Sequence, residues 1–220
     1  MIGKGKSISH GVAALEYDLA KEINGQAVAT EIARHELYGC TGAEMVQEMK
    51  PYHIDFPNVK NNCLRFEVSP SIEESATFTD ADWAELGNDF MQRMGLANHQ
   101  YIIIRHSGTE SKKEQAHLHI LANRVSLSGE LYRDNWIGKK ATEAANAIAK
   151  ERNFVQSQDI GKVNKAEIKE AMDGVLKKMQ GFDFTKFKEE LGKRGFKVRE
   201  ARASTGKLNG YYVTAVSYTH

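Results

Sequence analysis

The sequence predicts an α+β fold, a central and mostly antiparallel sheet with helices packed on it, and three observations predict it. Short strand-like runs occur at Leu64–Val68, Tyr101–His106 and His117–Ala122. The last two are joined by a loop short enough for antiparallel pairing. Helical periodicity fills much of the remaining chain and interleaves with the strands.

Taken in order, Ser7 or Ser9 can cap a helix over Val12–Ala20. Ala27–His35 and Gly42–Lys50 read as short helices, and Pro51 and Pro57 bracket a loop. Leu64-Arg65-Phe66-Glu67-Val68 alternates apolar and polar, the period of a half-buried strand. Thr79 precedes a helix from about Asp80 to Met94, with Trp83, Leu86, Phe90 and Met94 on one face and Gly95 as its stop. Tyr101–His106 is apolar and rich in β-branched residues, as a central strand should be. A polar loop over Ser107–Gln115 leads to its partner at His117–Ala122. After a turn at Gly129, helices are expected at about Lys139–Arg152, Lys165–Met179 and Thr185–Arg194. Gly195–Arg202 and Gly210–Val216 form a closing pair of strands, with Gly206 and Asn209 in the turn. The expectation is one domain over residues 1–220, basic from 155 to 220.

Composition sets the class. Of 220 residues, 41% are hydrophobic and 27% charged, a globular balance that supports one sizeable core. No run of about 18 apolar residues exists, so no membrane span is expected. The start, Met1-Ile2-Gly3-Lys4-Gly5-Lys6, lacks the apolar segment of a secretory signal. Cys40 and Cys63 are the only cysteines and are far apart, which suits free thiols in a cytoplasmic setting. The net charge of +1 does not mark a nucleic-acid binder, but its distribution is uneven. Glu67–Glu110 holds eight acids and two bases, a net of −6, whereas Lys162–Lys207 holds thirteen bases and seven acids, a net of +6. One part is thereby suited to a polyanion. Lysines decorating solvated helix faces would give the same count.

The sharpest chemical signal is His106, His117 and His119. Side chains alternate along a strand, so His117 and His119 point one way and Leu118 the other. Antiparallel pairing can bring His106 beside them. Three neutral imidazoles suit a borderline divalent metal and leave positions open for a substrate oxygen. A His-x-His pair alone is weak evidence, but these histidines lie within two of the most apolar segments, where unpartnered rings are costly. A hydrolase using metal-bound water needs the same three ligands, so the cluster alone leaves the reaction open. Lys4-Gly5-Lys6-Ser7 resembles the end of a phosphate-binding loop but lacks the earlier glycine and the preceding strand, and is rejected as one. Tyr17, on the first helix, is a candidate nucleophile once a cation or base stabilises its phenolate. Tyr38, Tyr52, Tyr101, Tyr132, Tyr211 and Tyr212 are rivals that spacing does not exclude.

Together the motifs resemble those of relaxase/mobilisation nucleases, the HUH endonucleases of mobilisable plasmids and transposons. His106…His117-Leu118-His119…Asn123-Arg124-Val125 is similar to that family's third motif. Lys4-Gly5-Lys6-Ser7-Ile8-Ser9-His10-Gly11, followed by Tyr17, resembles the first, and Leu64–Pro70 resembles the second. The likeness runs from the start to about Phe154. It implies an HUH relaxase-like sheet, a divalent metal (Mg or Mn) on His106, His117 and His119, and attack by Tyr17 on a phosphodiester at an origin of transfer. A 5′-phosphotyrosine and a free 3′-hydroxyl would result. The implied partners are single-stranded and origin-of-transfer DNA, with accessory mobilisation proteins and a coupling protein.

Where the family often carries an acid, two residues after the first histidine, this chain has Gly108, and Glu110 or Glu114 is the candidate replacement. Lys4, Lys6, Arg124, Lys139 and Lys140 are expected at the DNA. So are Lys186, Lys188, Lys193, Arg194, Lys197, Arg199 and Arg202 in the basic part, where phosphate contacts supply affinity rather than sequence choice. The end at Tyr218-Thr219-His220 suggests a truncated protein or an isolated domain. Two other readings remain: a rolling-circle initiator or single-strand transposase, which would use a tyrosine after the histidine pair such as Tyr132, and an inactive DNA-binding accessory protein.

Overall fold

The computed structural model describes residues 1–108 and 115–215. In chain order the elements are β1 (Ile2–Ile8), α1 (Gly11–Leu19), β2 (Glu22–Ile23), β3 (Gln26–Ala27), β4 (Ala29–His35) and α2 (Gly42–Met49). A 3-10 turn at Lys50–His53 leads to β5 (Cys63–Ser69), α3 (Ile72–Ser75), α4 (Asp80–Arg93), β6 (His99–His106) and β7 (His117–Ser126). Then come α5 (Ile137–Glu151), α6 (Ser157–Leu176), α7 (Phe184–Lys193), β8 (Phe196–Arg202) and β9 (Leu208–Ala215). The chain divides into two compact units, Met1–Ser157 and Gln158–His220, where the sequence suggested one domain with a basic end.

In the first unit a five-stranded sheet runs β1-β5-β7-β6-β4, antiparallel throughout. Helices cover both of its faces. Phe66, Ile103, Leu118 and Ile120 point to one side, where they pack with Trp83, Leu86 and Phe90 of α4 and Ala141, Ala145 and Ile148 of α5. Cys63, Ile102, Ile104 and Leu121 point to the other, against Ala14 and Leu15 of α1 and Met45 and Met49 of α2. Near-continuous apolar runs in β6 and β7 follow from this burial on both faces. The capping boxes at Thr41 and Thr79 fix where α2 and α4 begin, each hydroxyl accepting from the third backbone N–H of the helix.

Two expectations fail locally. Ala27–His35 is not a helix: Ala29–His35 is the edge strand β4, paired with β6 and bulged between Glu31 and Ala33. That bulge breaks the alternation by which a strand is recognised. Neither Ser7 nor Ser9 caps α1. Ser7 lies in β1, and His10 occupies the cap position without a side-chain hydrogen bond. The basic Lys4-Gly5-Lys6 lead is itself strand, paired with β5 from Ile2↔Ser69 to Ile8↔Cys63.

Two close approaches anchor this strand and the helix after it. A Cβ on Gly3 would stand 2.4 Å from the Ala141 carbonyl oxygen and 2.6 Å from the Ala145 Cβ, so α5 lies directly on β1. A Cβ on Gly11 would stand 2.6 Å from the Cys63 sulfur, so α1 begins directly on β5.

The second unit is α6, α7 and the β8–β9 hairpin, closed around Ala171, Val175, Phe187, Leu191 and Val198. Among the described residues, no helix is long and apolar enough to cross a membrane.

Gly3→Ala should lower the stability of the first unit by about 1–3 kcal/mol, the usual range for forcing extra volume into a packed contact. Chemical denaturation followed by circular dichroism measures it. An unchanged midpoint would mean that α5 does not bear on β1 as described.

Candidate metal centre

β6 and β7 pair in a register that opposes His106 to His117 and Ile104 to His119. Directly opposed residues share a face, and residues two apart along a strand share it too. All three histidines therefore project to the α1 side of the sheet. Their ring centroids lie 5.3 Å (His106–His117), 4.5 Å (His106–His119) and 4.9 Å (His117–His119) apart. One nitrogen from each ring lies within 4.8 Å of the others.

Hydrogen bonds fix the rings. A carbonyl can only accept, so His117 donates through Nδ1 to the Gln115 carbonyl at 3.1 Å. Its lone pair then sits on Nε2, 3.1 Å from His119 Nε2. His106 donates through Nε2 to the Asp18 carbonyl at 2.7 Å, leaving Nδ1 as its lone-pair nitrogen. Burial pushes His119 down to about pKa 2, helped by the neighbouring His106 and His117 and by the charges of Arg65 and Lys4. Burial lowers His106 as well, against the bond to Asp18. Neutral imidazoles are the form that binds metal, and three of them converging on one point fit a divalent cation.

Among the described residues, an acid that the sequence reading did not single out stands beside the cluster. Asp18 is buried, and its carboxylate accepts from Arg65 Nε at 3.0 Å and from Arg65 Nη2. Its Oδ1 is 3.9 Å from His119 Nδ1, and Arg65 Nη2 is 3.5 Å from the same nitrogen. Burial raises the Asp18 pKa, and the guanidinium opposes the rise. The signal was available: Asp18 falls on the apolar stripe of α1 with Gly11, Ala14 and Leu15, where a carboxylate needs a partner. Arg65, opposite Lys6 on β1 and Leu121 on β7, is that partner.

Tyr17 precedes Asp18 and is therefore one residue from the carbonyl that His106 holds. Its ring is largely exposed, and its oxygen accepts from Lys21 Nζ at 2.8 Å. Beside His119 opens a cleft of about 220 Å³ whose lining includes Lys4, Lys6, Arg65 and Glu67, and Lys4 pairs with Glu67 at 2.8 Å. Glu110 and Glu114 lie outside the described residues. Arg124 is committed elsewhere, donating to the Tyr132 and Asn61 carbonyls and to Asp134. Lys139 reaches Glu143, and Lys140 donates to the Arg133 carbonyl over the Tyr132 ring.

The other basic candidates belong to the second unit. Lys193 pairs with Glu190, and Arg202 with Glu200. Arg194 donates to the Ala171 carbonyl, a bond inside its own unit. Lys186, Lys188, Lys197 and Arg199 are exposed, and Arg199 lies over the Tyr212 ring.

A family model described as relaxase, MobA/VirD2-like, nuclease domain matches residues 17–154. Among solved structures, the chain is similar to a metal-bound conjugative relaxase TrwC in complex with oriT DNA. The TM-score is 0.41 at 12% identity, over 94% of this chain and 74% of that one. A metal-free structure of the same relaxase with oriT DNA gives 0.42 at 10% identity, over 94% and 74%. No curated protein matches the chain.

Two predictions follow from the buried charges. The depressed folded pKa values of His106, His119 and the buried His99 mean that the unfolded chain binds more protons below the ordinary value of 6.5. Stability should therefore fall as the pH drops from about 7 to about 5, read as a declining melting temperature of chelator-treated protein. A flat profile would refute neutral burial. Asp18→Ala leaves the Arg65 charge unpaired and should cost about 3 kcal/mol in denaturant unfolding.

Proposed function

This chain belongs to the relaxase family of MobA/VirD2-like nuclease domains, and from that premise we propose that it nicks one DNA strand at an origin of transfer through Tyr17. The observation that carries the reading is the hydrogen bond from His106 to the Asp18 carbonyl. It ties the histidine cluster to the helix turn that bears the phenol.

His106, His117 and His119 are the residues that would hold a divalent metal, with Mg or Mn as the proposed ion. When bound there, the ion would neutralise charge on the non-bridging oxygens of a phosphodiester. The side chains do the rest. Lys21 donates to the Tyr17 oxygen and stabilises the phenolate as the proton leaves to solvent. The phenolate oxygen bonds to phosphorus, the bond from phosphorus to O3′ breaks, and the departing oxygen takes up a proton. One ester replaces another, so the strand can be rejoined without ATP. Lys4, Lys6 and Arg65 line the cleft beside His119 and would hold the flanking backbone, contacts that set register and make binding salt-dependent.

The rolling-circle alternative needs a tyrosine after the histidine pair. Tyr132, the nearest, packs against the α4–α5 core, edge-on to His99 and beneath Lys140, on the side of the sheet away from the histidines. The inactive-protein alternative rested on Gly108. Asp18 supplies a buried carboxylate at the cluster without it. Mobilisation of a plasmid or transposon from the cytoplasm, with accessory and coupling proteins, completes the proposal.

The test is a labelled single strand carrying the cognate site. The chain should form a covalent adduct that Tyr17→Phe abolishes. His117→Ala with His119→Ala should slow adduct formation by about 100-fold or more, since charge neutralisation at phosphate is worth several kcal/mol. An adduct that survives Tyr17→Phe would overturn the assignment.

A further inference from the structure

Trp136 is four-fifths exposed, at 81%, whereas the other tryptophan, Trp83, is buried in the core. Its backbone is left-handed, with φ 59° and ψ 27°. Glycine or asparagine takes that conformation readily, while a bulky residue there costs on the order of 1–3 kcal/mol. The turn is well held: Ile137 N–H donates to the Asp134 carbonyl, Lys140 N–H to that of Trp136, and Asp134 is clamped by Arg124. The indole thus incurs backbone strain and buries little of itself, so folding does not explain its size.

Its surroundings are cationic. Arg133, Lys139 and Lys140 lie within four residues, and the first turn of α5 carries no acid. Asp134 is paired with Arg124, and Glu143 meets Lys139 only at 3.7 Å on an exposed helix face. α5 lies on β1, with Gly138 over the Gly5 carbonyl, and the opposite face of β1 presents Lys4 and Lys6 beside His119. Trp136 stands at the start of the helix that covers the far face of β1.

Resting on the nicking reading above, we infer that Trp136 is a stacking platform for an unpaired base of the single-stranded DNA that flanks the cleavage site. An exposed indole presents a flat π-face, and every base offers a matching one once it leaves the duplex. The nearby cations suit the phosphates on either side. Such a contact holds any sequence, so it contributes affinity and strand placement rather than choice of site.

Intrinsic fluorescence tests it in the full chain. Oligothymidylate should quench the long-wavelength emission of the exposed tryptophan, and an abasic strand of equal length should not. Trp136→Ala should weaken oligothymidylate binding by about tenfold, and Trp136→Phe should restore most of it. Trp136→Gly should bind as weakly as the alanine variant yet melt no lower than the parent, because glycine relieves the strain. Unquenched emission, equal affinity for abasic DNA, or an unchanged dissociation constant in Trp136→Ala would overturn the inference. So would a loss of self-association, in place of DNA affinity, in the variants. Adduct formation by the unaltered chain reports on nicking separately: an adduct with unquenched Trp136 removes this inference and leaves that reading standing.

Discussion

Antiparallel pairing places opposed residues on one face, and in this chain it opposes His106 to His117 with His119 two positions further on. That register has little room to slip. A one-residue slip of β7 would turn His117 and His119 into the α4–α5 core, parting them from His106, and would bring Leu118 and Ile120 to the α1 side. Burial on both faces of β6 and β7 therefore fixes the chemistry as firmly as the fold. The same apolar packing that holds the strands also lowers the proton affinity of His106 and His119, and the neutral ring is the state that has a lone pair to offer.

Around that point the charges are arranged in pairs. Asp18 and Arg65 come from a helix and a strand and meet beneath the histidines, where neither would be tolerated alone. The pair joins α1 to the sheet close to His119, while the backbone of Asp18 meets His106. Two separate bonds from one residue thus set how the Tyr17 turn lies over the cluster. Lys4 and Glu67 repeat the pattern nearer the solvent, where the attraction is weaker and the lysine freer to exchange its partner for a phosphate.

Much of this was legible in the sequence. β6, β7 and α4 have strong, uninterrupted patterns, and spacing put His117 and His119 on one face, with His106 within reach through antiparallel pairing. β1 was not legible as a strand, because its glycines at 3 and 5 face α5 and its lysines at 4 and 6 face solvent, which leaves no apolar alternation. β4 was hidden by its bulge. The β2–β3 hairpin was missed although Asn24-Gly25, both at positive φ, is a strong turn signal; its strands are only two residues long. Asp18 escaped because a lone acid in a helix is ordinarily surface, and only its place on the apolar stripe distinguishes it.

The seat of α1 on β5 has a chemical corollary. With the glycine backbone at position 11 closed over the Cys63 sulfur, that thiol is buried, and burial pushes its pKa up to about 12. Thiolate is the form that oxidants and alkylating agents attack, so this sulfur is shielded both by occlusion and by protonation. Adding even one oxygen to it would require the helix to lift, and Tyr17 with it. Positions 11 and 63 are in consequence bound by size: divergence at one is permitted only when the other shrinks to match.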